Sequence, residues 1–356
     1  MSDITNKERL LKVFSGEETD RIPLTLYTGL FPRGFVEREL RNDGVGLFCI
    51  PSPALTMKNP KVNKKILEIY ENEVFFIKNI FSTPIGEVSE TYRTGGGYNT
   101  KLLCEFLIKD KKDYEVAEFV LENEKYEFDF ELNKEREENI GEDGIVVPML
   151  PKTPLQDMMY NLMGPERFSI ELHENSKDFL HLYDVLFQRY KKMCEILSDA
   201  SVGFVEIGDN ITSDMIGKDR FRKYIMPVYE FVCEMFHKKG KKVGVHMDGN
   251  LNILKEDISE CKFDFIDAFT PCPDFDLSLK EAKKIWKDKI IIINFPSSVH
   301  MRTKEEIRKF TINLIEEAFP CDKFIVSITE NIPQCAWQNS LKTINNVLKE
   351  YGEVPK

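Results

Sequence analysis

The chain has 356 residues, 42% of them apolar and 31% charged, enough to bury the core of one large barrel or of two ordinary domains. Its 49 Lys and Arg face 60 Asp and Glu, and the formal net charge of -11 argues against partners such as nucleic acid or an anionic membrane. Nowhere do about 18 apolar residues run consecutively, and Met1–Glu8 shows no basic segment leading into an apolar stretch, so a cytoplasmic protein is expected.

In chain order, the first strand is expected within Arg21–Tyr27 and another at 45 to 50. Residues 74 to 135 then break the rhythm with aromatic-rich, alternating runs around Thr94-Gly95-Gly96-Gly97-Tyr98, which read as hairpins. Gly144–Met149 restores a strand pattern. From residue 200 a single unit recurs, a short β-rich run followed by a longer helical one. Its strands are expected at 202 to 207, 242 to 246, 264 to 269, 289 to 294 and 323 to 328, with helices over 218 to 239, 276 to 287, 303 to 318 and 336 to 350.

Nearly continuous apolar strands covered by helices imply a parallel sheet buried on both faces. Five late strands and three early ones make eight. The expectation is therefore an α/β fold, a (β/α)8 TIM barrel forming one domain over 1 to 356, with a β-rich insertion at 74 to 140 over one end. Eight cysteines occur without a Cys-x-x-Cys pair, which suits reduced thiols used as small apolar residues. Cys272 and Cys335 stand apart because each follows a predicted strand.

Reactive residues of such barrels collect where strands end and loops begin. Those positions hold Glu206, Asp209 and Asn210, then His246 and Asp248, then Thr270, Asn294, Glu330 and Asn331. In His246-Met247-Asp248-Gly249-Asn250 the imidazole and carboxylate stand two apart, so on a strand they share a side. Zinc in catalytic sites commonly takes three protein ligands and keeps a fourth position open, and a histidine with two carboxylates is an acceptable set. Against this stands the plainer reading of a satisfied core histidine among helix caps and arginine partners. Asp209 is expected to bond its own turn, and Asp219 to sit in the first turn of a helix. Gly95-Gly96-Gly97 lacks the flanking residues of a phosphate loop, and no Gly-x-Ser-x-Gly is present. Tyr27, Phe31 and Tyr92 are candidates to line an apolar pocket.

Thr5–Leu10 leading to Gly16–Pro23, with Gly208-Asp209-Asn210, Phe221–Pro227, the strand ending in His246, and Ile328–Pro333, resembles the uroporphyrinogen decarboxylase superfamily. The resemblance implies a (β/α)8 barrel and either decarboxylation or zinc-dependent methyl transfer with corrinoid proteins. The decarboxylases carry an Arg-Gln-Ala-Gly-Arg-like segment where this chain has Tyr27–Gly34 with one arginine, Arg33, which disfavours porphyrinogen decarboxylation. The superfamily's coenzyme M methyltransferases present His-x-Cys where this chain has His246-Met247-Asp248, and a further Cys at the position of Glu330. Oxygen ligands leave a metal more Lewis-acidic than thiolates do, which suits activation of an ether rather than a thiol. Val36–Asn42 also looks like the corrinoid-dependent O-demethylase branch.

The resemblance thus implies a methyltransferase moving a methyl group from a small methoxylated substrate to Co(I) of a separate corrinoid protein. Glu206, His246, Asp248 and Glu330 are the expected catalytic and zinc-ligating residues. Tyr27, Phe31, Asn210, Asn294 and Asn331 are the expected substrate-binding residues. A decarboxylase, a thiol methyltransferase drawing on Cys272 or Cys335, and a noncatalytic corrinoid-binding scaffold remain as alternatives, and homodimer formation stays open.

Overall fold

The computed structural model describes residues 4–95, 101–174 and 176–352. Its contacts group into two compact units, one of residues 1–53, 130–150 and 201–356 and the other of 54–129 and 151–200.

The first unit is the barrel. Its strands are β1 (Leu24–Tyr27), β2 (Gly46–Cys49), β3 in two stretches (Gly144–Val146 and Met149–Leu150), β4 (Phe204–Ile207), β5 (Lys242–His246), β6 (Phe265–Phe269), β7 (Ile290–Asn294) and β8 (Phe324–Ile328). All pairings are parallel and run in sequence order, and β8 pairs back onto β1. The sheet closes at β3, which pairs with β2 through its first stretch and with β4 through its second. Val147 N–H donates to Cys49 O at 2.8 Å, and Glu206 N–H to Pro148 O at 3.0 Å, so the ladder continues past a proline that has no N–H to give. This is the (β/α)8 barrel that the strand spacing predicts.

Residues opposite one another in register share a face of a sheet. Following the register places Tyr27, Phe48, Ile145, Phe204, Glu206, Gly244, His246, Phe265, Asp267, Ile290, Ile292 and Ile325 on the inner face. The lower part of that interior is apolar. Phe48, Ile145, Val147, Phe265, Ile290, Ile292 and Ile325 form one buried cluster with Leu10, Val13 and Phe14 of the N-terminal helix Asn6–Ser15. The Phe14 ring lies 4.7 Å from Phe204 and 5.2 Å from Phe265, so the helix plugs the floor of the barrel. The helix is fixed at both ends. Thr5 and Glu8 form a reciprocal capping box, and Gly16 closes it at φ 71°, where a side chain would be strained. Gly244 is glycine for a packing reason, since a Cβ there would fall 1.9 Å from the Phe265 ring.

The second unit carries a four-stranded antiparallel sheet of Asn63–Glu71, Val74–Thr83, Gly86–Thr94 and Lys101–Glu105 in sequence order. Asn72 and Glu73 at the first hairpin both have positive φ, the geometry of a two-residue type I′ turn. Helices Asp113–Glu122 and Lys177–Asp199 pack together in the same unit. Gly96, Gly97 and Tyr98, part of the expected hairpin tip, lie outside the described residues. Among the described residues no helix is long and apolar enough to cross a membrane.

Candidate metal centre

Above the apolar floor, the inner face turns polar at the carboxyl ends of the strands. His246 is the last residue of β5, and its register partner on β6 is Asp267. Glu206 lies on β4 opposite Gly244, on the same inner face. Around the His246 Nδ1 atom, Asp267 Oδ2 lies at 3.1 Å, Glu206 Oε1 at 3.4 Å and the Tyr27 hydroxyl at 3.4 Å. The Tyr27 hydroxyl also donates to Asp267 Oδ2. On the other side of the ring, Nε2 faces Asp248 Oδ2 at 3.8 Å.

A local irregularity follows Asp267 on its strand. Between Ile266 and Phe269 the register of β6 against β7 slips by one residue, and Ala268 takes φ 59°. Such a bulge reverses the side that the following residues face. Phe265 and Asp267 stay inside, while Phe269 turns out to meet Trp286 at 5.4 Å. Positive φ in alanine costs on the order of 1 kcal/mol.

Glu206 and Asp267 are both fully buried. Neither oxygen of Glu206 has a hydrogen-bond partner, and Asp267 Oδ1 has none either. Three carboxylate oxygens are therefore buried without a hydrogen bond, with the His246 imidazole offsetting part of the charge, a costly state unless protons or a cation neutralise them. Burial pushes the Glu206 carboxyl up to about 8, with the Asp267 charge adding to the effect and His246 opposing it. Burial works to lower the pKa of His246, but the carboxylates of Asp248, Asp267 and Glu206 outweigh it and raise the value well above the ordinary range. Tyr27 is driven up by burial and by the charges of Asp267 and Glu206.

The donor set fits a metal. Glu206, His246 and Asp267 each offer an atom within 4.8 Å of the others, the one such group among the described residues. Zinc bonds of 2.0–2.2 Å to nitrogen and oxygen put tetrahedral ligand atoms about 3.4 Å apart. The spacings of 3.1 and 3.4 Å around Nδ1 are close to that edge length.

Two of the four expected ligands, Glu206 and His246, thus come together. Asp248 stands beside the opposite ring nitrogen, in the turn after β5 and with its side chain 27% exposed. Glu330 is exposed in the loop after β8 and accepts a hydrogen bond from Ser297, so it lies outside the group. Among the expected substrate residues, Tyr27 adjoins the cluster. Asn294 is buried, donates to Thr270 Oγ1 at 3.3 Å and accepts from Thr329 N–H at 3.1 Å, which ties three strand ends together. Phe31 packs 5.6 Å from Trp337, and Asn210 and Asn331 are exposed. Asp209 is buried and accepts from the Tyr229 hydroxyl at 2.9 Å, a longer-range bond than the local turn expected. Cys272 and Cys335 are exposed free thiols outside the group.

Asp267 is the residue that strand-end reasoning passes over, because it sits inside the apolar run Phe265–Phe269. The available signal was the acid itself. A carboxylate within a fully buried strand needs a partner.

A family model for uroporphyrinogen decarboxylase (URO-D) matches residues 154–351, more than half of the chain. No curated protein matches. A solved methyltransferase from Methanosarcina mazei is similar over 98% of this chain and 99% of its own, at 13% identity and a TM-score of 0.59, which reflects a shared fold. The IOLI protein, solved with a binding zinc atom, is similar over 63% of this chain and 83% of its own, at 15% identity and a TM-score of 0.33. The strand order, the closed barrel and the length of the family match lead to one conclusion: the chain belongs to the uroporphyrinogen decarboxylase (URO-D) family.

Proposed function

We propose that this protein is a zinc-dependent methyltransferase that moves a methyl group from a small methoxylated substrate, an aryl methyl ether by preference, to Co(I) of a separate corrinoid protein. The observation that carries the reading is the group of half-buried His246 with fully buried Glu206 and Asp267, three of whose carboxylate oxygens have no hydrogen bond, at the carboxyl end of the barrel. Likeness to the Methanosarcina mazei methyltransferase along nearly the whole chain supports the same class.

Glu206, His246 Nδ1 and Asp267 would hold the ion. Bound there, zinc supplies Lewis acidity to an ether oxygen. Asp248 orients the imidazole from the Nε2 side, a role that carboxylates commonly fill beside metal-bound histidines. The apolar floor beneath the site excludes water, which strengthens every charge interaction above it. The bond that breaks joins methyl carbon to oxygen, and the freed oxygen takes up one proton. Because the nucleophile belongs to the partner, this chain's task is to place the methyl carbon in line and stabilise the departing oxygen.

The partner must reach the barrel mouth. Phe35, Ile253 and Met301, 65%, 58% and 56% exposed, each follow the carboxyl end of a strand, namely β1, β5 and β7. Exposed apolar groups in such loops suit the face of a corrinoid protein. Thiol transfer finds less support, since Cys272 and Cys335 lie outside the group. Decarboxylation of a polyacid would call for cations where this site gathers carboxylates.

The test begins with metal analysis of the purified chain, wild type beside His246→Ala. One zinc per chain, lost in the variant, is expected. Methylation of added Co(I) cobalamin from a panel of methoxyarenes then tests the reaction. Transfer from a thioether but from no ether would overturn the substrate assignment, and a metal-free wild type would overturn the mechanism.

A further inference from the structure

Tyr27 is engaged with the candidate centre in a way that substrate binding does not explain. Its hydroxyl donates to Asp267 Oδ2, the same oxygen that lies 3.1 Å from His246 Nδ1. Asp267 Oδ1 has no partner. The tyrosine thus fixes the carboxylate through one lone pair of Oδ2, the oxygen whose spacing from Nδ1 fits a metal edge, and leaves its second lone pair and Oδ1 open. The ring is itself held in place. Tyr27 pairs in register with Phe48, and the two rings lie 6.4 Å apart with their planes only 13° from parallel. Phe48 is fully buried in the barrel floor, so the hydroxyl is delivered from a packed base. Asp267 itself lies in regular register with His246.

We propose that Tyr27 is a positioning residue of the metal centre: its hydroxyl fixes the Asp267 carboxylate in a ligating orientation through Oδ2 and so sets the affinity of the site. The inference rests on the metal reading above and goes beyond it, because it assigns to Tyr27 a role in the absence of any substrate. Partners that orient a ligand typically change metal affinity by about 10- to 100-fold when removed.

The experiment is a double-mutant cycle on the full chain, with zinc affinity measured by competition against a chromophoric chelator. Tyr27→Phe keeps the ring stacked on Phe48 and removes only the hydroxyl. It is expected to weaken zinc binding about 10- to 100-fold, while the far-UV circular dichroism of the metal-free protein stays unchanged. In an Asp267→Ala background the same change should alter affinity less than about twofold, since the acceptor oxygen is gone. Unchanged affinity in Tyr27→Phe, or an equal loss in both backgrounds, overturns the assignment while leaving the metal site standing. Wild type that binds no stoichiometric zinc removes the site and the inference with it. Should Tyr27→Phe fail to fold, Tyr27→Leu in the same cycle removes the hydroxyl without adding a donor or a metal ligand.

Discussion

Replacing Glu206 by glutamine should stabilise the metal-free protein and weaken its hold on metal at the same time. Glu206 is fully buried, and neither of its carboxylate oxygens has a hydrogen-bond partner. Its folded-state pKa is raised from 4.5 to about 8, so at pH 7 the folded chain keeps a proton that the unfolded chain has released. A raised value means the contribution to stability is fully present below pH 4.5 and is lost progressively until pH passes about 8. At pH 7 the gap from the unfolded value is 2.5 units, and at about 1.4 kcal/mol per unit this costs the wild type about 3 kcal/mol. Glutamine has nearly the same shape and no proton to acquire, though its buried amide costs about 1 kcal/mol.

The expected net gain is about 2 kcal/mol at pH 7, or roughly 4–8 °C in melting temperature for a unit of this size. At pH 5 the gap is only half a unit, so the gain should vanish or change sign. Thermal melts from pH 5 to 9 in the presence of a chelator measure this directly. With zinc added, the order should reverse, because the variant has lost a charged ligand. A difference that does not vary with pH, or a variant less stable at pH 8 than at pH 5 relative to wild type, would refute the picture of an uncompensated buried carboxylate.

Zinc affinity should rise with pH up to at least about 8, since the ion competes with protons held by Glu206, whose carboxyl is pushed up to about 8, and by His246, raised well above its ordinary range; chelator competition at fixed zinc across that range checks the slope. His246→Ala and Asp267→Asn should each weaken zinc binding by at least about 100-fold, whereas Glu330→Gln should leave it within threefold of wild type; equal losses would return Glu330 to the ligand set. Ala268→Gly relieves the positive φ and should stabilise the chain by about 1 kcal/mol in chemical denaturation, and Ala268→Val should destabilise it. Glutamate at Phe35, Ile253 or Met301 should raise KM for a corrinoid protein acceptor several-fold while leaving zinc content and transfer to free cobalamin unchanged.

The architecture could be read from the chain because parallel strands buried on both faces must be apolar throughout, and helices between them must carry a periodic face. Runs such as Ile290–Asn294 and Phe324–Ile328 have no other economical use. The same logic located His246 and Glu206, polar groups inside otherwise apolar strands, and it pointed to Tyr27 at the end of the first. Gly144–Met149 was legible as a strand despite Pro148, which splits it into two stretches while the ladder continues through the proline's carbonyl.

Sequence alone determined the fold class and the presence of imidazole and carboxylates at strand ends, because periodicity and burial are local demands that each segment states for itself. It did not determine which of those groups meet. Barrel closure and register decided that His246 faces Asp267 and Glu206, and a one-residue slip after Asp267 turned Phe269 out where regular alternation would have pointed it inward. The same geometry left Glu330 exposed one loop away and set Asp248 against the far ring nitrogen. Contacts between residues tens of positions apart depend on how strands pair, and that information lies in the packed sheet as a whole, not in any one of its strands.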